Sequence, residues 1–209
     1  MNSNITKIIE IDKLCKYYGK NKVLDIDYFC FLSSYTYLLI GANGAGKSTL
    51  IKLIINLIKA SRGSICVYTK YISYVPERFL FPDNIKTYDF LCTLCKVRGF
   101  GATNSDVARE LEWWGIDKDK NINALSKGMK QQVLIIQAII EDSELYIFDE
   151  PLNGLDPNSQ ADFIQVIKNL KRLGKTIIVC THYDKYYASV FDYLVYFNGG
   201  MISEVIKSN

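Results

Sequence analysis

Long apolar runs, proline, histidine and a dominant charge sign are all scarce in this chain of 209 residues. No run approaches the ~18 consecutive apolar residues of a membrane span. The longest, Val133 to Ile140 around Gln137, has the length of a buried helix. The sequence therefore predicts no membrane-spanning helix. Met1 to Lys7 carries no hydrophobic signal core, so a cytoplasmic protein is expected. With four prolines and no low-complexity stretch there is no visible linker, and residues 1–209 read as one domain. The net charge of +3 is too weak to argue for nucleic acid. There is one histidine, His182, and one close cysteine pair, Cys92 and Cys95. A tetrahedral metal site needs more ligands than that. The six cysteines read as free thiols used as small apolar residues.

What is present is the composition of a folded protein, 49% hydrophobic and 22% charged. Strand patterns alternate with helix patterns. Ile5–Ile11, Val23–Phe29 and Tyr35–Ile40 read as strands, and Ser48–Ile58 as a helix with Leu50, Leu53, Ile54, Leu57 and Ile58 on one face. Ile65–Tyr68 and Tyr71–Val75 are short strands. Residues from about 85 to 141 read as helical throughout, with Val107, Leu111 and Trp114 on one stripe. Leu145–Phe148 and Thr176–Cys180 have the unbroken apolar character of buried parallel strands. Pro157–Leu173 is a helix with proline in its first turn. Asn198-Gly199-Gly200 marks a closing hairpin. This order predicts a three-layer α/β domain with a parallel core sheet, a small antiparallel β-subdomain and an inserted helical subdomain at about 85–141.

Gly41-Ala42-Asn43-Gly44-Ala45-Gly46-Lys47-Ser48 fits the P-loop pattern. Its glycines let backbone N–H groups turn inward around phosphates, and the helix that follows adds positive potential at its N-terminus. Lys47 can reach the outer phosphates, and the Ser48 hydroxyl can ligate Mg²⁺. A P-loop needs a second Mg²⁺ anchor at the end of a neighbouring buried strand. Asp149, closing Leu145–Phe148, supplies it. Glu150 beside it is placed to polarise a water aimed at the γ-phosphate.

Leu125-Ser126-Lys127-Gly128-Met129-Lys130-Gln131-Gln132 resembles the signature motif of ATP-binding-cassette (ABC) ATPases, in the variant with Lys and Met at the third and fifth positions. Tyr18-Gly19 resembles the aromatic A-loop, Pro76-Glu77 falls at the Q-loop, Asn153-Gly154-Leu155-Asp156 resembles the D-loop, and Thr181-His182 the switch histidine. The resemblance covers essentially the whole chain. It implies ATP and Mg²⁺, and a head-to-tail pair of cassettes with each ATP between one P-loop and the partner's signature. ATP contacts are then expected from Tyr18, Asn43, Gly44, Gly46, Lys47, Ser48, Thr49, Ser126, Gly128 and Asp156. The metal falls to Ser48, Asp149 and Glu77, and catalysis to Glu150, His182 and Glu77. Glu77 departs from the usual glutamine, so its charge state matters. The segment between Ile65 and Tyr74 is shorter than in most relatives.

The resemblance further implies the energy-coupling subunit of a membrane transporter whose permease is a separate chain, peripheral on the inner face of the cell membrane. The second cassette is a like or unlike subunit. Phe79-Leu80-Phe81-Pro82 forms a short apolar cluster of the kind that marks partner sites. The Pro-Glu Q-loop and Lys-Met signature resemble exporter subunits. The alternative is a soluble cassette ATPase acting on nucleic acid or the ribosome. It is disfavoured because no heptad coiled coil separates P-loop and signature, and only one cassette is present. A GTPase reading lacks an N-K-x-D motif.

Overall fold

The computed structural model describes residues 6–99, 102–182 and 188–208. The chain opens with the hairpin β1 (Lys7–Tyr18) and β2 (Asn21–Leu32), then β3 (Thr36–Ile40) and α1 (Lys47–Ile54). β4 (Arg62–Val67) and β5 (Ile72–Val75) precede the helices α2 (Thr87–Arg98), α3 (Asn104–Trp113) and α4 (Lys127–Ile140). β6 (Leu145–Asp149), α5 (Pro157–Arg172), β7 (Thr176–Thr181) and the hairpin of β8 (Tyr193–Asn198) and β9 (Met201–Lys207) complete it.

The strands form two sheets. The larger has the order β5-β6-β7-β3-β8-β9, parallel except for the β8–β9 pair. The smaller is antiparallel, in the order β2-β1-β4.

Strand alternation explains the three layers. Successive side chains of a strand point to opposite faces. Leu38, Tyr146, Phe148, Ile177 and Val179 enter one core with α2 to α5. Tyr37, Leu39, Leu145, Ile147, Ile178 and Cys180 enter the other, with α1 and the small sheet. Strands apolar at every position are what a sheet covered on both faces requires. Each fully buried large side chain, such as Phe148 or Tyr37, contributes about 2 kcal/mol from burial.

The parallel core, the antiparallel subdomain and the inserted helices are as the sequence predicts, with three differences. First, α1 stops at Ile54. Asn56 takes a left-handed φ of 57°, and Leu57 is 66% exposed, so the apolar pattern runs past the helix it appeared to describe. Second, the block from 85 to 141 is not helical throughout. Gly115, with φ 65°, follows the end of α3, and the chain takes a short 3-10 turn at Ile122–Ala124 before Ser126 starts α4. Third, β1 and β2 are longer than expected, and the part of the first strand before Thr6 lies outside the described residues. Cys92 and Cys95 are both buried in the helical core, as packing residues should be.

Candidate nucleotide site

Five parallel strands end at one edge of the large sheet, where ligands of open α/β sheets bind, and four of them carry the candidate residues. The P-loop follows β3, Asp149 closes β6 with Glu150 just after it, Thr181 closes β7 with His182 just after it, and Glu77 lies two residues beyond β5.

The P-loop is pinned from below. A Cβ on Gly46, at φ 102°, would meet Leu24 Cδ2 at 2.7 Å and the Val23 carbonyl oxygen at 2.9 Å. Only glycine fits that turn beside β2. The Gly200 N–H donates to the Ala45 carbonyl at 3.1 Å, so the β8–β9 turn also braces the loop. Lys47 is buried, and its Nζ donates to the carbonyls of Gly41 (2.5 Å) and Ala42 (3.3 Å). That Nζ also lies 3.9 Å from Glu150 Oε1.

Asp149 is buried beside Ser48. Burial pushes its carboxyl above the usual range, against the pull of the nearby Ser48 hydroxyl. Its Oδ1 has no hydrogen-bond partner. An orphaned buried carboxylate oxygen next to a serine hydroxyl suits a hard cation that takes few protein ligands and completes its shell with water and phosphate oxygens. Glu150 takes a left-handed φ of 50°, held by its N–H to the Cys180 carbonyl at 3.0 Å. Strained backbone of this kind persists where the surroundings fix it, and it concentrates at functional sites. Glu150 Oε2 lies 2.9 Å from His182 Nδ1.

The signature motif sits elsewhere. Ser126 caps α4, accepting the Met129 N–H at 3.2 Å. Gly128 packs on Gly154, where an added Cβ would lie 2.6 Å from the Gly154 carbonyl oxygen. Gln132 Nε2 donates to Ser159 Oγ (2.8 Å), which donates to Asp156 Oδ2 (2.6 Å). Among the described residues, no hydrogen bond or ion pair joins Ser126 or Gly128 to residues 41–49.

A model of the family described as ABC transporter matches residues 27–153, well over half of the chain. The chain belongs to the ABC transporter family. It is a nucleotide-binding domain of the ABC ATPase class. The cassette is similar to a putative ABC transporter ATP-binding protein of Mycoplasma pneumoniae (31% identical, covering 86% of this chain and 60% of that protein). It is also similar to the zinc transport ATP-binding protein of Treponema pallidum (30%; 94% and 80%) and to the bacitracin transport ATP-binding protein of Enterococcus faecalis (32%; 95% and 69%). Its fold matches a solved ATP-binding subunit of an ABC transporter with a TM-score of 0.84 at 27% identity, over 96% of this chain and 90% of that one. Among the described residues of the cassette, no helix is long and apolar enough to cross a membrane.

The other sequence-predicted residues fall on two sides. Tyr18 stands at the end of the β1–β2 hairpin, opposite Asn21 and half exposed, with Lys16 Nζ 5.2 Å from its ring. Val23, two residues past Asn21, touches the P-loop at Gly46, which brings the hairpin end toward the loop. Glu77 is less closely placed. It is exposed and 3.9 Å from Arg78, and its charge reaches Asp149 without a hydrogen bond. Asp156, expected to contact ATP, is an N-cap in the cassette. Its carboxylate accepts the Asn158 and Ser159 N–H groups and the Ser159 hydroxyl, which hold it below the usual range, the Ser159 hydroxyl most. Sequence reading missed the Gly128–Gly154 contact and the Gln132–Ser159–Asp156 chain. Each joins α4 to the α5 region, and glutamine and serine at those positions carry no spacing signal.

Proposed function

We propose that the cassette is the ATP-hydrolysing subunit that powers a membrane transporter, with the permease on a separate chain and residues 1–209 acting as one domain with α2–α4 as an insertion. The observation that carries this reading is the convergence at one sheet edge of a P-loop lysine, the Ser48–Asp149 pair and Glu150 held by His182.

The phosphates of ATP lie on the backbone N–H groups of residues 43–49, with Lys47 turned to them in exchange for its two carbonyl partners. Tyr18 offers a ring face to adenine. Ser48 and Asp149 would hold Mg²⁺, with Glu77 in reach of its outer shell, and the ion would supply charge neutralisation for the phosphates. Glu150 takes the proton of the attacking water, and His182 orients that carboxylate and reaches the γ-phosphate. Ser126 and Gly128, at the N-terminus of α4, present their N–H groups outward to a second cassette's nucleotide. That arrangement accounts for a signature motif not bonded to its own P-loop.

Transport is outward on this reading. The direction rests on Pro76-Glu77 and on Lys127 and Met129, which resemble exporter subunits, while similar proteins serve both zinc and bacitracin transport. The permease is received beside the Q-loop, in a groove of about 800 Å³ bordered by Tyr74, Pro76, Phe79 and Leu94. The cassette then works on the cytoplasmic face of the membrane. Calorimetric titration with ATP at rising Mg²⁺ tests the site. Lys47→Ala should weaken ATP binding by at least about tenfold. Glu77→Gln should bind ATP with a weaker Mg²⁺ dependence than wild type. Unchanged affinity in Lys47→Ala would remove the P-loop reading.

A further inference from the structure

A second cavity, of about 790 Å³, lies away from the strand ends, between α3, the C-terminal end of α4 and α5. Its volume falls within the ordinary range for small-molecule sites. Ile139 and Ile140 of α4, Val166 and Leu170 of α5, and the 70% exposed Leu173 form its apolar walls. Trp113, 50% exposed, adds an indole face at the end of α3.

The charges in this cavity are unequally satisfied. Asp106 is paired with Arg109 at 2.9 Å, and Asp142 with Lys175 at 2.7 Å. Glu141 is buried and accepts from Ser73 Oγ at 2.5 Å and from Gln137. Glu110 is the exception. It is half-buried, lines the cavity one helical turn before Trp113, and makes no hydrogen bond or ion pair among the described residues. Burial pushes its carboxyl above the usual range, and the neighbouring Arg109 only partly offsets this. A carboxylate held in partial burial without a donor carries a desolvation cost that a bound cation would relieve. A nearby aromatic face and apolar walls are the surroundings in which a cation with a hydrocarbon tail binds best.

We propose that the α3–α5 cavity binds a small amphipathic organic cation, an alkylated guanidinium or ammonium, with its charge between Glu110 and Trp113 and its tail along Ile140 and Leu170. This site is separate from the nucleotide site and does not rest on the ATPase reading. None of its residues belongs to the P-loop, signature or D-loop motifs.

n-Octylguanidinium and its neutral isostere n-octylurea distinguish charge recognition from greasy adsorption. Calorimetry with the full chain should show saturable binding of one octylguanidinium, at least about tenfold tighter than octylurea. The chain has two tryptophans, adjacent in sequence, so intrinsic fluorescence should report the same titration. Glu110→Gln keeps the side-chain shape and should bind the two compounds equally. Trp113→Leu should weaken octylguanidinium while ATP affinity stays unchanged. Equal affinity of wild type for the two compounds would overturn the proposal, as would undiminished preference for the cation in a folded Glu110→Gln variant. Binding of an arginine-bearing amphipathic peptide without binding of octylguanidinium would also overturn it, and would make the cavity a protein-docking site instead.

Discussion

His182 Nδ1 lies 2.9 Å from Glu150 Oε2, while the other oxygen of the same carboxylate lies 3.9 Å from Lys47 Nζ. One acid therefore faces both the P-loop lysine and the histidine that follows the neighbouring strand β7. Its backbone is fixed by the Cys180 carbonyl, so β6 and β7 together set where that acid points.

The contact between Gly128 and Gly154 ties the signature to the D-loop. A methyl group at position 128 would press on a backbone oxygen 2.6 Å away, which no side-chain rotation relieves. Gly128→Ala should keep the fold at a cost of about 1–3 kcal/mol, read as a lower midpoint in urea. ATP binding by the single cassette should be unchanged, and ATP-driven pairing should be lost. Pairing at wild-type strength would mean that this contact does not set the signature's geometry.

Phe79, Leu80 and Phe81 should separate into two roles. The Phe81 ring is 5.3 Å from that of Phe90 and packs against the helical core, so Phe81→Ser should cost about 2 kcal/mol of stability. Leu80 is 94% exposed and Phe79 44% exposed. Leu80→Ser should leave thermal unfolding nearly unchanged, Phe79→Ser, whose ring lies 4.9 Å from that of Phe81, should cost less than Phe81→Ser, and both should reduce recovery of the cassette with its permease from detergent-solubilised membranes. Full recovery of both variants would remove this segment from the docking surface.

Asp192 should make the cassette sensitive to acid. Burial raises its pKa, but the Lys171 ammonium at 2.7 Å and the Thr36 N–H and hydroxyl outweigh that and hold it below the usual aspartate range. The folded value lies below the unfolded one, so the stabilisation is fully present above the unfolded pKa. It is lost as pH falls through the folded pKa. Asp192→Asn should destabilise the protein by about 1 kcal/mol at neutral pH after solvent screening. The gap between the two proteins' urea midpoints should narrow as pH falls below the unfolded aspartate pKa. A gap that stays constant over that range would assign the effect to packing.

The candidate site at the strand ends was legible because its parts are local. A P-loop, two acids closing an apolar strand and a histidine after another each sit in a short segment, and parallel pairing then stacks those segments at one edge. The end of α1 was not legible, because Leu57 and Ile58 continue the apolar spacing and only the left-handed Asn56 stops the helix. Asp156 carried the mark of a D-loop residue, yet its position just before Pro157 makes it a cap for α5. Glu110 and Trp113 carry no motif or spacing signal in the sequence. Their neighbours Ile140 and Leu170 come from distant segments, so only the folded chain brings them together.

The central claim is that Glu150 is the base in a site completed by a second cassette. Glu150→Gln keeps the side-chain shape and removes the base, so ATP should bind and remain. Size-exclusion chromatography of this variant with light scattering should show a dimer in MgATP and a monomer without nucleotide, with hydrolysis slowed at least about a hundredfold. A monomer in saturating MgATP, or hydrolysis at the wild-type rate, would contradict the account.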